Sequence, residues 1–360
     1  MRIRNISIIG LGLIGGSIAK ALRKSGEDYF ISAFDISGSS AIALEENVID
    51  ASLSSIDETL NSHLIFICLP VDASIKLLEE LAPKLKENTI ITDVCSVKNI
   101  LKDEWDKLES KGFYIGGHPM TGKEHGGYEN SDPLLFENAM YIITEKFEEN
   151  PSFSGFTNVI KSLGPNILYI PAKQHDVIAA SVSHLPQLVS VALVNAASLK
   201  TDEYNFLDLA AGGFRDMTRI AASDFNIWES IISTNKSQIL TALDKFSYDL
   251  EILEKWISEN KYTEIADYFE TARKNRDEIP KNTKGFLSPL HDLFVFVKDE
   301  PGAISKISTT LFEKSINIKD IELLKIREGS GGTFRLSFES MGDLLEAAKI
   351  LNQKGFSTEH

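Results

Sequence analysis

Short, continuously apolar runs punctuate the first half of the chain: Ile6–Ile9, Phe30–Phe34, Leu64–Leu69, Thr89–Thr92, Phe113–Ile115, Met140–Thr144 and Ile167–Ile170. Amphipathic segments separate them, and Ile14–Lys24 reads as the first crossover helix. Runs that are apolar throughout, rather than alternating, mark strands buried on both faces. The pattern therefore predicts a parallel sheet covered by helices. After Pro171 the period becomes helical, with segments at 172–199, 216–235, 236–259 and 261–277. A polar stretch at 281–289, KNTKGFLSP, reads as a linker. Beyond it Leu293–Val297, Ile316–Ile326 and Thr333–Phe338 read as strands. Ala303–Lys314 and Leu344–Lys354 read as helices, and a short strand begins at Phe356. That order, βαββαβ, is ferredoxin-like.

Three domains are thus expected: an α/β, Rossmann-type domain over 1–171, an all-α domain over 172–282 and the small mixed domain over 290–360. A length of 360 residues exceeds what one core usually holds. One stretch, 177–199, carries no Asp, Glu, Lys or Arg. It is long enough to span a bilayer. Ser181, Ser183, His184, Pro186, Gln187, Ser190 and Asn195 interrupt it, however. A helix covered by its own domain or by a dimer partner is expected instead.

The net charge of -15 makes nucleic acid and anionic membranes poor partners. An anionic substrate would need a local cluster of Arg or Lys. The two cysteines, Cys68 and Cys95, end apolar runs, so no disulfide scaffold is expected and a reducing cytoplasm is the natural setting. Ile6–Ile9 is too short for a signal peptide. No metal is expected.

Gly10, Gly12 and Gly15 form G-x-G-x-x-G directly after the first strand, with Leu13 and Ile14 opening the helix. The first glycine permits the turn, the second lets backbone approach a pyrophosphate, and the third lets helix pack on strand. Phosphates then sit at a helix N-terminus, where Ser17 can add a hydroxyl. The next strand ends at Asp35, whose carboxylate suits both ribose hydroxyls of NAD and repels the 2′-phosphate of NADP. Two further segments follow strands: Cys95–Ser96 and Gly116–Met120. Ligands of open α/β sheets bind beyond the carboxyl ends of strands, so Ser96 and His118 fall where a nicotinamide ring would lie.

Four motifs in order, GLGLIGGS at 10–17, GGHPMTGKEHGG at 116–127, SHLPQ at 183–187 and GGFRDMTRIAASD at 212–224, resemble the prephenate dehydrogenase family. The tail, with DEPG at 299–302, resembles an ACT domain. The resemblance implies NAD-dependent oxidative decarboxylation of prephenate to 4-hydroxyphenylpyruvate, in tyrosine biosynthesis, by a homodimer joined through the helical domain. It makes His118 the group that takes the hydroxyl proton, a task suited to imidazole. Ser96 then hydrogen-bonds the same hydroxyl. Arg219, with Arg215 four residues earlier on one helix face, binds substrate carboxylate. Glu124 lies near the mouth of the site, and His184 close to substrate. Gln187 stands where many members have a second histidine near the substrate side chain, which leaves prephenate and its amino analogue arogenate both open. Trp228 is the aromatic after the arginine motif, read as core, as is Cys95. The ACT resemblance implies L-tyrosine as effector, held by Asp299 and Gly302 with Asn317 of a paired domain. Ser315 replaces the glycine usual before that asparagine.

Other readings differ in class. A β-hydroxyacid dehydrogenase would place a catalytic lysine in the helical part, and 177–199 offers none. A non-catalytic regulator sensing NAD or an amino acid leaves Ser96, His118 and Arg219 unexplained together.

Overall fold

The computed structural model describes residues 3–123, 125–145, 151–278, 290–298, 300–327 and 331–360. They fall into two compact units, Met1–Glu270 and Thr271–His360.

In the first unit β1 (Asn5–Ile9), β2 (Phe30–Phe34), β3 (Ala51–Ser52), β4 (Leu64–Ile67), β5 (Ile90–Asp93) and β6 (Phe113–Ile115) form one parallel sheet. Its order is β3-β2-β1-β4-β5-β6, so the direction of winding reverses between β1 and β4. Four helices connect these strands: α1 (Leu13–Lys24), α2 (Ser39–Glu45), α3 (Val71–Leu81) and α4 (Asn99–Trp105). Alternate strand residues feed two cores. Ile6, Ile8, Leu64 and Phe66 pack with Ile18 and Leu22 of α1, whereas Ile9, Ile65, Ile67 and Ile91 pack with Leu77 and Leu81 of α3. Burial on both faces is why these strands read as unbroken apolar runs.

The last two runs of the N-terminal half do not extend this sheet, contrary to the single-sheet expectation. A second sheet holds β7 (Gly117–Pro119), β8 (Met140–Ile143) and β9 (Asn166–Tyr169), with β7 and β8 antiparallel. The chain changes sheets at two glycines. A Cβ on Gly116 would lie 2.5 Å from Thr144 Oγ1, and one on Gly117 would lie 2.6 Å from the Tyr141 hydroxyl. Only a residue without a side chain fits so close an approach. Helix α5 (Pro151–Ser162) leads into β9.

The helical part starts with α6 (Ala172–Ala179), a π-turn at Ala180–His184 and α7 (Leu185–Ala197), which run on as one helix. Pro186 has no N–H for the carbonyl four residues back, and its ring crowds that carbonyl. The wider turn just before it accommodates both effects. By length and composition Ala172–Ala197 could cross a membrane, and only 28% of its most apolar stretch is buried within the chain. Next come α8 (Gly212–Thr218), a 3₁₀ turn at Arg219–Ala222, α9 (Phe225–Thr234), α10 (Lys236–Ser258) and α11 (Tyr262–Glu278). The helix expected over 216–235 is therefore broken, with Arg215 on α8 and Arg219 at the start of the turn that follows it. Side chains cause the break. Thr218 turns its hydroxyl onto the Phe214 carbonyl at 2.6 Å and leaves helical geometry (φ -104, ψ 1). Ser223 is extended and closes on the Ile220 carbonyl through its N–H at 3.2 Å and its hydroxyl at 2.8 Å. Ser and Thr commonly compete with helix in this way.

The second unit contains β10 (His291–Val297), α12 (Ala303–Phe312), β11 (Asp320–Arg327), β12 (Gly331–Phe338), α13 (Met341–Gln353) and β13 (Ser357–Glu359). The antiparallel sheet runs β11-β12-β10-β13. Leu293, Val295, Leu336 and Phe338 pack with Ile307, Leu311, Leu344 and Leu351 of the helices. The strand expected from Ile316 begins only at Asp320. Residues 315 and 316 instead close α12: Ser315 takes a left-handed conformation (φ 58), and the Ile316 N–H donates to the Leu311 carbonyl at 3.0 Å.

Candidate active site

The glycine loop leaves β1 at the point where the sheet's winding reverses. Gly10 has φ +92, and a Cβ on Gly15 would lie 1.9 Å from the Gly10 carbonyl oxygen. Around Gly12 nothing lies within 4 Å of where a Cβ would be, so that backbone is open to a ligand. Helix α1, opened by Leu13 and Ile14, has no side-chain cap and no acid in its first turn. Its first amides are thus available to phosphate. Ser17 is buried, and its hydroxyl accepts the Asp132 N–H at 2.9 Å, so it braces the loop from behind. Asp35, at the end of β2, accepts the Leu11 N–H at 2.7 Å and the Ser37 N–H at 2.7 Å. Burial opposes its charge, but the bonds from Ser37 and Leu11 prevail and hold the carboxyl below its usual range. A loop that exposes backbone at Gly12 and a fixed carboxylate one strand away fit a dinucleotide.

Past β5 the chain packs a buried ionic cluster that the sequence did not reveal. Lys98 and Asp93 are fully buried and paired. Asp93 also accepts the Cys95 N–H at 2.9 Å and the Tyr114 hydroxyl at 2.8 Å. Lys98 Nζ donates to the Gly117 carbonyl at 2.7 Å. The pair therefore fixes the loop holding half-buried Ser96 and the backbone just before His118. Cys95 is buried, as read from the sequence.

His118 lies on β7 and is half-buried. Its Nδ1 is 2.8 Å from Nε2 of His175, and Nδ1 of His175 is 2.8 Å from Asp176 Oδ1. Asp176 in turn accepts the Lys98 and Asn99 N–H groups at 2.8 and 2.9 Å. Burial, then His175, Lys98 and His184, hold the His118 imidazole well below its ordinary range, so it is a neutral base at neutral pH. Sequence reasoning missed His175 and Asp176. The available signal was a charge placed immediately before a 23-residue charge-free stretch, where a carboxylate must find partners.

His184 sits in the π-turn with 1% of its surface exposed. Its Nδ1 accepts from the Asn235 amide at 3.3 Å, its ring meets Trp228 edge-on at 5.9 Å, and its buried Nε2 has no partner among the described residues. Burial pushes its pKa down to about 4. Gln187 is buried on α7. Its amide donates to the Ile220 carbonyl at 2.9 Å, so it ties α7 to the turn carrying Arg219. Arg215 and Arg219 are both exposed, on α8 and on that turn.

In the second unit Gly302 (φ +89) caps α12 and lines a cavity of about 250 Å³ with Lys298, Glu300, Leu323 and Phe334. Asn317 lines a different cavity, with Ser308, Phe312 and Ser315. Glu124 and Asp299 lie outside the described residues.

Two family models match in succession: the prephenate dehydrogenase nucleotide-binding domain over residues 18–169 and the prephenate dehydrogenase dimerization domain over 171–271. The prephenate dehydrogenase of Bacillus subtilis is 34% identical over 97% of this chain and 96% of its own length. Among solved structures, prephenate dehydrogenase from A. aeolicus in complex with hydroxyphenyl propionate and NAD+ superposes with a TM-score of 0.71. It is 31% identical and covers 78% of this chain and 99% of its own. Synechocystis arogenate dehydrogenase has a TM-score of 0.67 at 30% identity, covering 76% of this chain and 99% of its own. With both domain models in sequence and a relative of this identity along nearly its whole length, the chain belongs to the prephenate dehydrogenase family.

Proposed function

We propose that the protein is an NAD-dependent prephenate dehydrogenase, which oxidises and decarboxylates prephenate to 4-hydroxyphenylpyruvate in tyrosine biosynthesis. The observation that carries this reading is a histidine, His118, backed by His175 and Asp176, on the strand that follows a dinucleotide-binding sheet. Gly10, Gly12, Leu13, Ile14, Gly15 and Asp35 hold NAD. When bound, NAD supplies the acceptor for hydride from the ring carbon bearing the hydroxyl. His118 takes the hydroxyl proton, and Ser96 hydrogen-bonds the same oxygen. Arg219, supported by Arg215, places the carboxylates. Positioning matters more than strength here, since a ring carboxylate held too tightly would resist leaving as carbon dioxide. His184, with its Nε2 buried and without a partner among the described residues, faces substrate. Gln187 lies on the substrate side chain's side of the site and, through the Ile220 carbonyl, also steadies the Arg219 turn.

Prephenate is chosen over arogenate because the near-full-length likeness is to a prephenate dehydrogenase. Following NADH with each substrate tests both choices. Well-folded protein that oxidises neither overturns the reading, and preference for arogenate corrects the substrate.

The same reading divides the chain at 1–171, 172–282 and 290–360 and places it in the cytoplasm. A homodimer forms through the helical part. Val177, Ile178, Val182 and Val191 are exposed on the charge-free helix of a single chain, and a second copy would cover them. The small unit is a regulatory ACT domain that binds L-tyrosine in the Gly302 cavity. Gly302 and Asn317 line separate cavities in one chain, which fits a site completed by a paired domain. A chain ending at Asn282 should stay active and lose inhibition by tyrosine. Undiminished inhibition of that chain would refute the assignment.

A further inference from the structure

The hydrogen bonds behind His118 fix where its protons lie. Both oxygens of Asp176 accept backbone N–H groups, from Lys98 and Asn99, so the carboxylate is held as an acceptor. Oδ1 also lies 2.8 Å from His175 Nδ1. A carboxylate has no proton to give, so Nδ1 of His175 is the donor. A ring whose one proton sits on Nδ1 has its lone pair on Nε2, and Nε2 of His175 faces Nδ1 of His118 at 2.8 Å. Only a proton on Nδ1 of His118 completes that contact. The lone pair of His118 is left on Nε2, the nitrogen outside this chain of bonds.

Charge leads to the same arrangement. His118 is faced by His175 on α6, by Lys98 before α4 and by His184 in the π-turn. Lys98 is neutralised by Asp93. His184 has Asn235, Asp176 and His175 around it. With Asp93 paired to Lys98, Asp176 is the carboxylate in contact with His175 among the described residues.

We propose that His175 and Asp176 are positioning residues for the acid–base step, setting the tautomer of His118 and taking over the charge it acquires. This rests on His118 being the base of the proposed reaction. As the substrate O–H bond breaks, its proton forms Nε2–H on His118. The Nδ1 proton of His118 passes to Nε2 of His175, and the positive charge settles on His175 beside the Asp176 carboxylate. No proton is created or lost, and the reverse shifts restore the start. Imidazole held by a carboxylate is a known device for setting tautomer and stabilising imidazolium. Here a second imidazole lies between the two.

Asp176 also caps α4, so loss of activity alone would not distinguish the roles. The test uses the full chain with Asp176→Asn and His175→Gln. Each should lower kcat on the order of 10²- to 10⁴-fold, with NAD affinity near that of wild type. In Asp176→Asn the acid limb of kcat should move to lower pH, because the protonated histidine pair has lost its counter-charge. A capping role would leave that limb in place, and an unmoved limb overturns the proposal. Nitrogen-15 NMR of histidine-labelled wild type, with His118→Asn for assignment, gives a reading that needs no turnover. Neutral His118 carrying its proton on Nδ1 supports the relay, whereas a proton on Nε2 refutes it. Absence of turnover with prephenate and arogenate, by contrast, defeats the functional reading and leaves the tautomer result standing.

Discussion

Acidification should unfold this protein in part through His184, and the size of the effect follows from its surroundings. In the folded chain the ring is buried and its pKa lies at about 4 rather than at the ordinary 6.5. The Asn235 amide can only donate to Nδ1, so the neutral ring carries its proton on Nε2, and protonation would place a second proton on Nδ1, against that donor, with Nε2–H buried and without an acceptor among the described residues. The unfolded chain has no such restriction and takes up the proton near the ordinary value. Below that value the unfolded state holds more protons than the folded state, so stability falls as pH falls and levels off only near the folded pKa. Each tenfold difference in proton affinity between the two states is worth about 1.4 kcal/mol. The full window therefore amounts to about 3 kcal/mol, of which about 1.4 kcal/mol is lost by about pH 5.5. The measurement is chemical denaturation of wild type and His184→Gln at about pH 8 and about pH 5.5. Glutamine does not titrate, so the difference between the two proteins isolates His184. The advantage of wild type over the variant should shrink by about 1.4 kcal/mol on acidification. A difference that is the same at both pH values would show that the buried ring does not resist protonation, and the argument would fail.

Replacing Asp35 by Ser should raise KM for NAD by about 10- to 100-fold, since hydrogen bonds to a charged group are worth about 1.5–3 kcal/mol. Steady-state kinetics with both cofactors should show the preference over NADP narrowing, and unchanged preference would remove Asp35 from its role. Arg219→Ala should raise KM for prephenate by about 10- to 100-fold while NAD affinity, measured by fluorescence titration, stays put. An unaltered KM would move the carboxylate contact elsewhere. Gln187→Met should cost only about 1 kcal/mol of stability, because the Ile220 carbonyl keeps the Ser223 N–H and hydroxyl. A loss of several kcal/mol in denaturation would mean that Gln187 does more than tether the turn.

What could be read from the sequence was what is local. Strands such as Leu64–Ile67 are apolar throughout because both faces are covered. The glycine loop is legible because each of its glycines answers a steric demand within a few residues. His175 and Lys98 were not legible in the same sense. His175 meets His118 across 57 positions, and the role of Lys98 depends on the Gly117 carbonyl, which the fold brings to it across 19. The broken arginine helix was readable in principle, since Thr218, Ser223 and Asp224 are residues that favour helix ends. Helical spacing of the two arginines outweighed them. The switch to a second sheet was hidden because β7 is three residues long and two of them, Gly117 and Pro119, are poor strand formers.

The contact between His118 and His175 joins two stretches of chain matched by separate family models, ending at 169 and beginning at 171. That seam is where a protein engineer would naturally cut in order to recombine relatives. A chimaera spliced there takes its base from one parent and the side chains behind that base from the other. Unless both parents place the same pair at the start of α6, such a hybrid would inherit a sound cofactor pocket and a misaligned histidine. The unit that can be exchanged intact is therefore the nucleotide-binding half together with at least the first two turns of the helix that follows it.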